Sequence, residues 1–200
     1  MAEFILPRRV RPHVAVAGAL ALLLTLTFGA GAAQSNAARE TAEAREQAWL
    51  CERLDEEPGI AACRAALAAG IRLERRTAVR AILANHLVGL ERWSELGEHY
   101  REDVRLDPED AEAWFRLGST LLFALNERAE ALAALEEAAR LDPGSGLSRS
   151  VLAIALHVLG RFEEATDAFD EAERLDPTVL EGRPAASAMR EASRRGEPWP

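Results

Sequence analysis

The sequence predicts an all-α chain built as a solenoid of antiparallel helical hairpins, and three observations carry that expectation. Apolar residues recur with helical periodicity to about Arg195, with hardly any β-branched runs. Leu-Asp-Pro recurs as Leu106-Asp107-Pro108, Leu141-Asp142-Pro143 and Leu175-Asp176-Pro177, at spacings of 35 and 34 residues. A proline after the aspartate closes one helix and opens the next, because the residue before proline is pushed out of helical geometry. A period of this length is that of one hairpin, which buries its apolar face by stacking on a copy.

The N-terminal element reads differently from the rest. Residues 14–33 (VAVAGALALLLTLTFGAGAA) carry no charge, and Arg8, Arg9 and Arg11 stand just before them. A basic start, an apolar stretch and then small residues form the pattern of a secretory signal, with cleavage expected after Ala32 or Ala33. Twenty uncharged residues also span a bilayer at about 1.5 Å each, so a retained inner-membrane anchor is the competing expectation. Either way the remainder is exported, and a periplasm is the expected destination. Membrane contact is expected only through this segment, if it stays uncleaved.

Composition narrows the function. Of the 200 residues, 33 are acidic and 24 basic, and every basic residue is arginine. Without residues 1–33 the chain keeps 21 basic and 32 acidic groups, a net of −11. That balance argues against nucleic-acid binding, which depends on neutralising phosphates. Two cysteines and four scattered histidines leave little for a metal cluster, so neither a metal nor a cofactor is expected. No GxSxG, HExxH, CxxC, Walker or GxGxxG pattern occurs, and no catalytic residue is assigned. Glu95 and His99 lie at i, i+4, a spacing expected of salt-linked surface groups.

Residues 34–44 are small and polar and read as a linker into the first helical hairpin, residues 45–74. Within it Asp55-Glu56-Glu57-Pro58-Gly59 is the expected turn, with Cys51 four residues before it and Cys63 four residues after. In an antiparallel hairpin the two thiols face each other, and export would place them where disulfides persist. A Cys51–Cys63 bridge is therefore expected, closing a short loop for about 2–3 kcal/mol. Three repeat units follow at 77–108, 109–143 and 144–177, then a cap helix over 183–195 that begins at Pro184.

The residues inside the period resemble the tetratricopeptide repeat (TPR). Residues 111–143 carry Trp114, Leu117, Gly118, Leu121, Ala131, Leu135, Ala138 and Pro143 at its signature positions. One extra residue near Asn126–Arg128 accounts for the spacing of 35. The following unit matches through Leu152, Ala153, Leu156, Gly160, Phe162, Ala165, Phe169, Ala172 and Pro177. The preceding one matches more loosely through Leu83, Ala84, Leu87, Trp93, Tyr100 and Pro108, and departs at Leu96 and Asp103. The Cys-containing hairpin, one repeat length upstream, reads as a degenerate first unit.

That resemblance implies a right-handed solenoid and a concave groove lined by the first helix of each unit. Carried over position by position, the groove holds Asn85, Glu112, Phe115, Ser119, Leu122, Phe123, Ile154 and His157. It is apolar with few charges, and of the Lys, Arg and Asn that relatives use to clamp acidic tails only Asn85 is present. The expected function is an exported scaffold or adaptor holding a peptide or helix of a cell-envelope protein. The alternatives are a self-associating envelope component and an accessory chaperone for secreted substrates. Partner identity and oligomeric state are not legible in the residues.

Overall fold

The structure is a computed structural model that describes residues 40–198. The expected signal or anchor at 1–33 lies outside the described residues, as does most of the linker at 34–44. Among the described residues there are nine helices, one π-helical turn and no strand. No helix among them is long and apolar enough to cross a membrane. The described residues divide into two compact units, one ending at residue 82 and the other beginning at residue 83.

The first unit contains α1 (Ala42–Arg53), α2 (Glu56–Ala68) and the start of α3 (Leu73–Gly89). Thr41 caps α1, its hydroxyl accepting from the Ala44 amide at 3.0 Å. Small side chains set the α1–α2 distance: Ala44, Ala48, Ala62 and Ala66 are all buried, with Ile60 the one large side chain among them. Cys51 and Cys63, both fully buried, are bonded to each other across this interface. The turn is shorter than the five residues expected, because α2 already begins at Glu56. Pro58 falls in the first turn of α2, where a missing N–H costs nothing because no intrahelical partner exists for it. At the other end Gly70 takes φ +78° and the Ile71 amide reaches back to the Ala66 carbonyl, closing the helix.

The second unit runs from the end of α3 through α4 (Trp93–Leu106) and α5 (Ala111–Thr120). A π-helical turn, Leu121–Leu125, extends α5, and α6 (Arg128–Leu141), α7 (Gly146–Val158), α8 (Phe162–Leu175) and α9 (Pro184–Arg194) follow. Asp110 and Ser145 cap α5 and α7 by accepting from backbone amides two or three residues on. The small residues of the repeats sit where the helices touch: Ala131, Ala153 and Ala165 are fully buried, and Gly118 leaves no room for a methyl group. Leu135 and Phe169 fill the space between hairpins and are fully buried, with Tyr100 nearly so.

Three residues with positive φ turn the chain inside the hairpins: Glu91, Asn126 and Gly160. From each of them to the next Asp-Pro aspartate the chain runs 16 residues, in all three units. From Asp107 to Asn126 it runs 19, and from Asp142 to Gly160 it runs 18. The extra residue therefore lies within the first helix of its hairpin and not at Asn126–Arg128. It is accommodated as the π turn, where the Asn126 amide bonds to the Leu121 carbonyl five residues back.

Ion pairs tie helices together at the edges. Arg101 of α4 reaches Glu127 at 2.5 Å and Glu130 at 2.8 Å at the start of α6. These carboxylates hold the Arg101 proton more firmly than usual, first through the hydrogen bonds that Arg101 donates to Glu130. On α9, Arg190 pairs with Glu173 and Arg194 with Asp170 at 2.8 Å, both on α8. Two arginines of the cap helix thus help hold it to α8.

Candidate functional site

The amphipathic α4 places Trp93, Leu96 and Tyr100 at i, i+3 and i+7, on one face. On the next helix Phe115 and Ser119 share a face at i, i+4, and the π turn carries Phe123 on beyond them. These residues, with Val88 at the end of α3, line a cleft of about 520 Å³ within the second unit. Phe123 stands at its edge, 63% exposed. Large aromatic side chains left this open are what an apolar partner covers.

The polar groups of the cleft are few. Among the described residues Arg116 is the one charged group in its lining, and its Nε donates to Glu112 at 2.8 Å. Tyr100 holds its proton above the ordinary tyrosine range because burial disfavours the phenolate, so it enters the cleft neutral. The Ser119 hydroxyl is buried without a hydrogen-bond partner.

The expected groove residues divide into three groups. Phe115, Ser119 and Phe123 meet in the cleft, and exposed Glu112 touches it through Arg116. Leu122 is turned into the hairpin core at 7% exposure, and Asn85 is exposed on α3 but outside the cleft lining. Ile154 is half-buried, and His157 is 3% exposed beneath α9, with Nδ1 2.7 Å from Ser193 Oγ. The third unit thus contributes nothing to an open groove at His157, because the cap helix covers it.

Trp93, Leu96 and Tyr100 are the cleft residues that a groove drawn from first helices alone leaves out. Their signal was the stripe of large apolar groups along α4, which reads equally well as hairpin interior. At the Glu95–His99 spacing, Glu95 pairs with Arg92, and His99 Nε2 lies 3.4 Å from Asp103 Oδ2. Among the described residues no group of three His, Cys, Asp or Glu is placed to hold a metal ion.

Residues 122–189 match the tetratricopeptide repeat family model. Comparison with curated proteins gives no match. Among solved structures, MamA residues 41 to the end from Desulfovibrio magneticus RS-1 superpose with a TM-score of 0.58 at 18% identity, covering 79% of this chain and 93% of that one. The TPR2B domain of yeast Sti1, solved as a pHsp70 complex, gives a TM-score of 0.51 at 20% identity, over 58% of this chain and 94% of that domain. YrrB, described as a TPR protein with an unusual peptide-binding site, gives 0.53 at 23% identity, covering 68% of this chain and 66% of its own. At such identities the likeness shows the fold: an all-helical solenoid of hairpins. TPR proteins are protein–protein interaction modules, and residues 122–189 of this chain match the tetratricopeptide repeat within a fold of the same kind.

Proposed function

We propose that the chain is an exported interaction module that takes an apolar segment of a cell-envelope protein, a peptide or short helix, into the cleft between α4 and α5. The observation that carries this reading is the cleft itself: Trp93, Tyr100, Phe115 and Phe123 gathered around an open volume with one charge, already neutralised by Glu112. Covering such rings with apolar groups is favourable by about 25 cal/mol per Å² of apolar surface. The peptide-binding site named for YrrB and the pHsp70 complex named for the Sti1 domain support a peptide as occupant. Export is supported by the basic flank and uncharged stretch at 14–33 and by the Cys51–Cys63 bond, since disulfides persist in oxidising compartments.

A photo-crosslinking amino acid at Phe123 of the full chain, in its own cells, tests the reading. The expected result is a discrete protein adduct, lost in Phe115→Arg although circular dichroism and melting temperature are kept. The same probe at exposed Leu106, outside the cleft lining, gives none. Adducts that survive Phe115→Arg in a folded chain overturn the cleft as the site. Fractionation decides export separately: a cytosolic protein with reduced Cys51 and Cys63 would sink that half of the proposal. Adducts formed only between copies of the chain favour the self-associating alternative.

A further inference from the structure

The cap helix α9 is held by its Arg190 and Arg194 ion pairs to α8 and half-buried Met189, with few fully buried side chains. Its buried side chains are Ala186, Ala192 and Ser193, none of which brings much apolar area. The chain before it carries Val179 and Leu180, both buried, and Gly182 (φ +69°) lies between them and the helix.

The central contact of the seat is His157 of α7 against Ser193 of α9, Nδ1 to Oγ at 2.7 Å, both residues buried. The other ring nitrogen, Nε2, is buried and has no hydrogen-bond partner, and the ring packs on Phe162 with centroids 5.3 Å apart. A neutral imidazole suits this site, with Nε2 a bare acceptor. Imidazolium would put a second N–H and a full charge where nothing accepts either.

The charged groups of the surrounding elements do not offset that. On α8, Asp170 and Glu173 are engaged by Arg194 and Arg190 of α9. Beyond α7, Arg161 is paired with Glu164, and the Arg128 guanidinium reaches the Val158 carbonyl. Glu163 at the start of α8 and Glu191, Arg195 and Glu197 at the end of the chain are exposed. Among the described residues no carboxylate forms an ion pair with His157.

We propose that α9 is a pH-released latch: protonation of His157 undocks the helix from α7 and opens the surface it covers. That surface includes a position at which the repeat pattern places partner-binding residues, so release would lengthen the binding face. Burial lowers the affinity of His157 for a proton when α9 is docked, while in the undocked form the ring titrates near the ordinary histidine value. The sign follows. Docking is at full strength above the ordinary value, about pH 6.5, and weakens as the pH falls below it toward the lowered one. Between the two, the docking equilibrium shifts about tenfold per pH unit.

Amide hydrogen exchange of the full chain between pH 8 and 5, corrected for intrinsic rates, tests the latch. Protection across Ala186–Ser193 is expected to fall as the pH drops below about 6.5, while α6 and α8 keep theirs. In His157→Phe the fall should vanish. Unchanged protection of α9 in the native chain overturns the proposal. So does a fall that persists in His157→Phe, which would assign it to the α8–α9 ion pairs. His157→Gln, which keeps an amide beside Ser193, serves where phenylalanine disturbs packing, and the same two results decide.

Discussion

Gly118 and Leu135 approach so closely that a Cβ on the glycine would stand 2.6 Å from Leu135 Cγ and 3.2 Å from the Ala131 carbonyl oxygen. This contact sets the distance between α5 and α6. Alanine at 118 would add about 1 kcal/mol of helix propensity, but the methyl must displace a fully buried leucine and a backbone atom. The clash wins. Gly118→Ala is expected to destabilise the second unit by about 1–3 kcal/mol in urea unfolding. Gly97→Ala is the control: its new methyl meets the end of the flexible Leu125 side chain at 2.9 Å, which can turn away. It should be close to neutral.

The first hairpin depends on its disulfide more than on its core. Between α1 and α2 the buried groups are mostly alanines, which release little apolar surface from water. Reduction, or Cys51→Ser with Cys63→Ser, is expected to cost this hairpin about 2–3 kcal/mol. Hydrogen exchange should then rise across Ala42–Ala68 while α6 to α8 stay protected, because the two units are compact separately. A uniform loss of protection over the whole chain would contradict this.

Neighbouring residues in the π turn separate binding from stability. Leu122 is 7% exposed and Phe123 63%. Leu122→Ala should cost about 2–5 kcal/mol of stability, through the cavity it leaves. Phe123→Ala should leave stability within about 0.5 kcal/mol and weaken capture of the partner. Thermal melts paired with the crosslinking assay distinguish them. A destabilising Phe123→Ala would mean the ring belongs to the core.

Much of the fold was legible because the repeat signals are local. Asp-Pro pairs mark helix boundaries, and buried alanines such as Ala131 and Ala165 mark helix contacts, whatever the rest of the chain does. The Cys51–Cys63 pairing followed from hairpin geometry in the same way. The site was less legible, since it depends on what covers what. His157 occupies a groove position in the repeat, but α9 lies on it, and only tertiary packing places a terminal helix there. Trp93 and Tyr100 carry the same pattern whether they face a neighbouring hairpin or an open cleft. The local register of Leu122 and Phe123 was obscured by the π turn, which a pattern of fixed period does not contain.

The π turn holds one residue more than an α-helical turn needs. The spacing from Asp107 to Asn126 exceeds that from Asp142 to Gly160 by one residue, and the π turn takes it up. Deleting exposed Ala124 would bring Leu121, Leu122, Phe123, Leu125 and Asn126 into the spacing that Leu156, His157, Val158, Leu159 and Gly160 already have. The latter segment is ordinary α-helix ending in a positive-φ residue, so the shortened chain has a regular conformation available. The hydrogen bonds that close five residues apart would close four apart, which is the better geometry. Fold and melting temperature should therefore survive the deletion. Phe123 would then take the place that half-buried Val158 has in the next unit, and the cleft would lose its exposed aromatic edge. Crosslinking from Thr120, which also lines the cleft, should fall to the level of Phe115→Arg. A deletion that unfolds the second unit would show that the π turn is required for stability. One that binds as before would show that the cleft does not need it.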